Sequence, residues 1–198
     1  MSILIVATSN PGKLAEMQAY LGSLPCQLQL KPADLDIEET ATTFLANACL
    51  KASQVAKALQ QWAIADDSGL AVDALQGAPG LYSARYAPTD AERIQRVLTE
   101  LGDHPHRQAQ FICAVAIARP DGSIALQCEG RCAGEILTEA RGTGGFGYDP
   151  IFYVPEYQKT FAEMTPDEKH QISHRGQAFA QVLAQWPPDF PSALPAIP

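Results

Sequence analysis

Ile3-Leu4-Ile5-Val6-Ala7-Thr8-Ser9-Asn10-Pro11-Gly12-Lys13 is the stretch that decides the fold. Its first five residues form an unbroken apolar run, which fits a strand buried on both faces. Small polar residues of the helix-capping type follow, and Pro11 suits the first turn of a helix. A buried strand feeding a helix start predicts an α/β unit, with the helix over 11–22.

Working outward, residues 26–30 read as a second strand and 31–42 as an acidic loop carrying Asp34, Asp36, Glu38 and Glu39. Phe44, Ala48, Ala52, Val55 and Leu59 recur at helical spacing and predict an amphipathic helix over 43–60. Residues 63–66 and 70–73 read as two short strands around Asp67-Ser68-Gly69, and Gly77–Gly80 as a turn. Thr89 and Glu92 form a capping box for a helix over 90–101. The run 109–118 is apolar on both faces, as a central strand is. Asp121-Gly122 is a hairpin signal leading to a strand near 124–132. Residues 151–153 read as another short strand. Thr165-Pro166-Asp167-Glu168 is a second capping box, for a helix near 166–171. Ser173 is placed to cap a last helix whose core face is Phe179, Val182, Leu183 and Trp186. Hairpin signals mixed with strand–helix alternation favour an α/β fold with a mixed sheet. A single domain is expected over 1–186. A tail over 187–198, rich in proline, is expected to be extended or disordered.

The bulk composition narrows the function. Of 198 residues, 46% are hydrophobic, enough for a sizeable core, and the net charge of −8 disfavours binding to a nucleic acid polymer. A small anionic ligand would need a local basic site. Five cysteines without CxxC spacing argue against a disulfide framework and for a reducing compartment. The N-terminal apolar run Ile3–Ala7 is too short for a signal segment with its cleavage site and far too short to span a membrane, so a soluble cytoplasmic protein is expected.

Four constellations could carry chemistry, each with a plainer alternative. Thr8–Lys13 joins a strand end to a helix N-terminus. Free N–H groups, the helix dipole and Lys13 would favour an anion, although a capped turn explains it too. Glu38-Glu39 and Asp66-Asp67 are adjacent carboxylates that repel one another unless a hard cation such as Mg2+ compensates; a solvated charge run and a turn are the alternatives. Gly142-Thr143-Gly144-Gly145-Phe146-Gly147-Tyr148-Asp149-Pro150 sets a flat ring and a carboxylate in bare backbone. It reads as a grip on a nucleobase, its glycines allowing close approach, or as a flexible turn. Lys169 with His174-Arg175 puts cations near a helix start, where they oppose the dipole, either to meet an anion or carbonyl or as surface charge. His170 and His174 are four apart, but Ser173 interrupts the helix and no HExxH pattern supports zinc.

Thr8–Lys13, Ala65–Leu70, Gly77–Gly80 with Ser83–Tyr86, Gly142–Pro150 and Ser173–Gly176, taken in that order, resemble the Ham1/RdgB family of noncanonical purine nucleoside triphosphate pyrophosphatases (ITPase, dITP/XTP pyrophosphatase). The resemblance runs from residue 3 to about 186. It implies an ITPase-like α/β fold, with a long mixed twisted sheet flanked by helices and two lobes around a cleft. It implies Mg-dependent hydrolysis of ITP, dITP, XTP and dXTP to monophosphate and pyrophosphate, and a homodimer. By motif position, Glu39 and Asp67 would hold Mg2+, with Asp67 also the general base. Thr8, Ser9, Asn10, Pro11, Gly12 and Lys13 would bind the triphosphate, assisted by Lys169. Ser68 would contact substrate. Phe146, Gly147, Tyr148, Asp149, His174 and Arg175 would hold the base. A donor such as Arg175 facing O6 would reward a 6-keto purine over adenine. The competing readings are a nucleotide-binding module without catalysis and a related pyrophosphatase acting on other modified nucleotides.

Overall fold

A computed structural model of the protein describes residues 2–8, 11–22, 24 and 26–191, with only the backbone described at 11 and 12. Strands are β1 (Ser2–Val6), β2 (Cys26–Leu30), β3 (Ala63–Val72), β4 (Gln108–Ala118), β5 (Ile124–Ile136), β6 (Phe152–Val154) and β7 (Lys159–Thr160). Helices are α1 (Pro11–Leu21), α2 (Phe44–Leu59), α3 (Asp90–Leu101), α4 (Pro166–Ile172) and α5 (His174–Ala184). The strands form one mixed sheet in the order β2-β1-β3-β4-β5-β6-β7, with helices flanking it. Of the described residues, those in 1–67, 114–129 and 178–198 form one compact unit, and those in 68–113 and 130–177 a second.

In the first unit β1 is hydrogen-bonded on both sides. It runs parallel to β2, with Ser2 opposite Cys26, and parallel to β3, with Ile5 opposite Ala63. Leu4, Ile5 and Val6 are buried, which is why the run is apolar without alternation. One sheet face, carrying Ile5, Ala63, Ala65, Ala114, Ala116 and Ala118, packs on α2 through Ala48, Ala52, Val55 and Ala56. Small side chains on both partners bring helix and sheet close. Tyr20 of α1 and Phe179 of α5 stack at 4.9 Å, their planes 2° apart.

β3 departs from the reading as two short strands: Ala63–Val72 is one strand through Asp66-Asp67-Ser68-Gly69. It lies inside the sheet, between β1 and β4. β1 pairs with it at Ala63 and Ile64, and the strand runs on from there through Asp, Ser and Gly against their turn preference. Extended backbone also sends successive side chains to opposite faces.

The second unit packs Leu70, Val72, Val97, Leu101, Phe111, Ile136, Tyr148, Ile151, Phe152 and Phe161 into a core. Both capping boxes form: Thr89 with Glu92 on α3, and Thr165 with Glu168 on α4. On α5, Phe179 and Val182 are buried as expected, but Leu183 is exposed. The residues after 186 also depart from the reading. Phe190 is buried and packs edge-on against Trp62 at 5.1 Å and Trp186 at 5.0 Å. Arg119 pairs with Asp189 at 2.6 Å, and the Ser2 hydroxyl donates to the Pro191 carbonyl. One aromatic anchor among the prolines thus holds 187–191 to the first unit; 192–198 lie outside the described residues.

Candidate active site

In the first unit the alternation of β3 gives its two aspartates different partners. Asp66, whose side chain is fully buried, pairs with Lys13 of α1 at 3.0 Å. Asp67 lies on the α2 face, where Lys51 Nζ is 3.1 Å from Asp67 Oδ1 and 2.9 Å from Glu39 Oε1. Two carboxylates 28 positions apart in the chain therefore meet at one ammonium. Asn47, one turn before Lys51 on the same helix face, donates from Nδ2 to Asp67 Oδ2 at 3.2 Å and accepts the Ala41 N–H at 2.9 Å. It fixes the carboxylate and the loop bearing Glu39 together. Glu38 is exposed.

Charges this buried survive only when paired. Burial alone would lower the Lys51 pKa, but Asp67, Asp66 and Glu39 more than offset it and hold the ammonium above its ordinary value. Burial pushes the Asp67 carboxyl upward, with Glu39 adding to it, against the pull of Lys51 and Lys13. Asp67 is thereby more basic than an ordinary aspartate.

Oxygen donors converging on one cation, as Glu39 and Asp67 do on Lys51, are also what a hard divalent ion uses. Among the described residues no three His, Cys, Asp or Glu side chains are gathered for a metal. The remaining ligands would come from phosphate and water, as is usual for Mg2+.

Thr8 lies just after β1, and Pro11, Gly12 and Lys13 open α1. Ser9 and Asn10 lie outside the described residues.

In the second unit the loop 142–150 is held by its own chain. Asp149, buried, accepts the Phe146 N–H at 2.9 Å and the Lys169 ammonium at 2.7 Å, both on Oδ2. Lys169 Nζ lies 5.0 Å from the centre of the Phe146 ring, and Arg175 Cζ 5.9 Å. Cations at those distances from a ring face are attracted by it. Lys169 thus belongs with the aromatic loop. Arg175 donates to Ser68 Oγ at 2.9 Å. His174 is buried, its ring stacked on Phe111 at 4.6 Å. Tyr148 turns into the core and donates to the Ser83 carbonyl at 2.8 Å, while its own carbonyl accepts the Ile151 N–H at 3.1 Å and the Phe152 N–H at 3.2 Å.

The glycines correct one expectation. A Cβ on Gly145 would lie 1.9 Å from Asp149 Oδ2, and one on Gly142 2.6 Å from the Ala162 backbone. These glycines let the loop close on itself. At Gly147 a Cβ would meet nothing within 4 Å, so that position alone of the three faces open space.

Ser173 organises the cations. Its N–H donates to the Lys169 carbonyl at 2.9 Å, ending α4, and its Oγ accepts the Gly176 N–H at 3.1 Å, starting α5. Gly176 is required because a Cβ there would lie 1.8 Å from the His170 carbonyl oxygen.

Lys51 and Asn47 escaped the reading of the sequence. Their signal was present: two polar residues at i, i+4 on a helix stripe otherwise filled by alanine and valine.

The mixed sheet with flanking helices defines an α/β protein. The Ham1 family model matches residues 4–185, and the chain belongs to that family. It is 66% identical over 187 residues to the dITP/XTP pyrophosphatase of a Synechocystis species, covering 94% of this chain and 96% of that protein. It is 68% identical over 181 residues to the Nostoc protein of the same name, covering 91% and 92%. Among solved structures it superposes on a HAM1 protein from Coxiella burnetii with a TM-score of 0.86 and 47% identity, covering 93% of this chain and 98% of that one. The Staphylococcus aureus Ham1 protein gives 0.84 and 41%, covering 92% and 97%. The expected family and the α/β fold are both shown.

Proposed function

We propose that the chain hydrolyses ITP, dITP, XTP and dXTP to the monophosphate and pyrophosphate, clearing deaminated purine nucleotides before they enter DNA or RNA. The observation that carries this is the meeting of Glu39 and Asp67 on one buried ammonium, in a family whose relatives bear the name dITP/XTP pyrophosphatase.

Glu39 and Asp67 would hold Mg2+, which supplies charge neutralisation on the phosphates and a better leaving group. The chain's own residues do the rest. Thr8–Lys13 receive the triphosphate at the start of α1, with Lys13 held in place by Asp66. Asp67, made more basic by burial, takes the proton of the water that attacks the α-phosphorus. The α–β bond breaks and the electron pair leaves with pyrophosphate. Phe146 offers its ring to the purine. Lys169 and Arg175 lie near that ring as donors, suited to the O6 of a keto purine and mismatched to the amino group of adenine. Lys169 thereby moves from the triphosphate to the base in this reading.

A homodimer and a cytoplasmic setting complete the proposal. None of the five cysteines is joined in a disulfide, which suits a reducing compartment. Among the described residues no helix is long and apolar enough to cross a membrane.

Incubation with ITP, dATP or dGTP and Mg2+, with pyrophosphate as the readout, tests the proposal. ITP is expected to be turned over in strong preference. Equal turnover of all three, or orthophosphate as the direct product, refutes it.

A further inference from the structure

Asp90, the first residue of α3, plays no part in the chemistry above, yet it reaches the aromatic loop. Its Oδ2 accepts the Gly147 N–H at 2.7 Å, while its Oδ1 is held by Arg93 Nη1 at 2.8 Å. The Phe146 N–H is taken by Asp149. The first of these amides belongs to the peptide after Phe146, the second to the peptide before it. Peptide groups are planar, so fixing the planes on both sides of a residue fixes its φ and ψ and hence the direction of its Cα–Cβ bond. Asp149 does this from within the loop, and Asp90 does it from outside. Asp90 is itself well placed to do so. The Thr89–Glu92 capping box sets the start of α3, Val97 and Leu101 bury the helix, and Arg93 turns the carboxylate. Carboxylate-to-amide bonds are charge-assisted and short, as here.

We propose that Asp90 is a positioning residue for the base-stacking ring: it fixes the 146–147 peptide so that Phe146 stands ready before the nucleotide arrives. This rests on the reading of Phe146 as the stacking surface.

The test uses the full chain with ITP and Mg2+. Asp90→Ala should raise KM about fivefold, the factor one hydrogen bond is worth, with kcat held within about twofold. Asp90→Asn keeps an acceptor oxygen and should return KM to within about twofold of the parent. Thr89→Ala weakens the helix cap but leaves the Asp90 carboxylate, held by Arg93, on Gly147, and should lower Tm while raising KM far less than Asp90→Ala does. In the free protein, the Gly147 amide proton should move upfield in the NMR spectrum of Asp90→Ala and not in that of Thr89→Ala. A parental KM in Asp90→Ala, an equal rise in KM for Thr89→Ala, or no rescue by Asp90→Asn overturns the proposal. The stacking reading is tested apart from it by Phe146→Ala. If KM rises there but not in Asp90→Ala, only the role of Asp90 falls; if KM is unchanged in Phe146→Ala, the stacking reading falls.

Discussion

Lys51 shows how much one buried side chain can settle. Its ammonium lies between two carboxylates that would otherwise face each other in a poorly solvated place. Lys51→Met should therefore lower Tm more than a surface lysine change does, by the equivalent of about 3 kcal/mol, because it leaves buried charge uncompensated. Added Mg2+ should restore part of the loss in a thermal melt. Asp67→Asn should cut kcat about a hundredfold or more, because the amide cannot accept the proton, with a smaller loss in Tm than Lys51→Met, because Glu39 still pairs Lys51. At Gly145 the added carbon of alanine meets the Asp149 carboxylate, whereas at Gly147 it meets open space. Both positions have positive φ. Gly145→Ala should thus cost about 1–3 kcal/mol in urea unfolding and raise KM for ITP. Gly147→Ala should cost only the left-handed strain, about 1 kcal/mol. The sequence marked these positions as special without revealing that the loop's principal neighbour is its own chain.

Element boundaries were legible where local chemistry decides them. Thr89 with Glu92 and Thr165 with Glu168 are capping boxes in sequence and in structure. The apolar run 3–7 and the two-faced run 109–118 became interior strands, because burial on both faces is written directly into composition. β3 was not legible. Asp67-Ser68-Gly69 is turn chemistry by local preference, and its place in a strand inside the sheet depends on partners far away in the chain. Phe190 was hidden among prolines for a similar reason: its partner Trp62 is far away in the chain. In the candidate site, Glu39 and Asp67 were singled out by their acidic neighbours and by resemblance, while Lys51 and Asn47, which join them, were missed because a lysine on a helix is ordinarily solvated. Ser173→Ala removes a cap oxygen and should destabilise the protein by about 1 kcal/mol in chemical denaturation.

For the molecule as a whole, burial of thiols sets a limit at high pH. Cys128 and Cys132 are buried, and burial pushes each pKa up to about 11, with Glu156 adding to the effect at Cys132. In the unfolded chain these thiols ionise near 8.5. The folded state therefore keeps protons that the unfolded state loses. Stability is full below the unfolded value and falls as pH rises through the window up to about 11, by roughly 3 kcal/mol per thiol. Melting temperatures between pH 8 and pH 10.5 should decline, and the decline should be shallower in a Cys128→Ala/Cys132→Ala variant. The net charge of −8 acts at the same scale. The protein should pass through a heparin column at low salt, and retention there would contradict the expectation, drawn from net charge, that it binds no nucleic acid polymer.

One hydroxyl and one amide at Ser173 end α4 and begin α5. Lys169 precedes that junction by four residues and Arg175 follows it by two. The cations about the aromatic ring therefore share a single mounting and have few independent degrees of freedom. A mutation tuning one of them drags the other along. If these cations read the base as proposed, base preference should change in steps, through the mounting as a unit, and resist gradual adjustment one contact at a time.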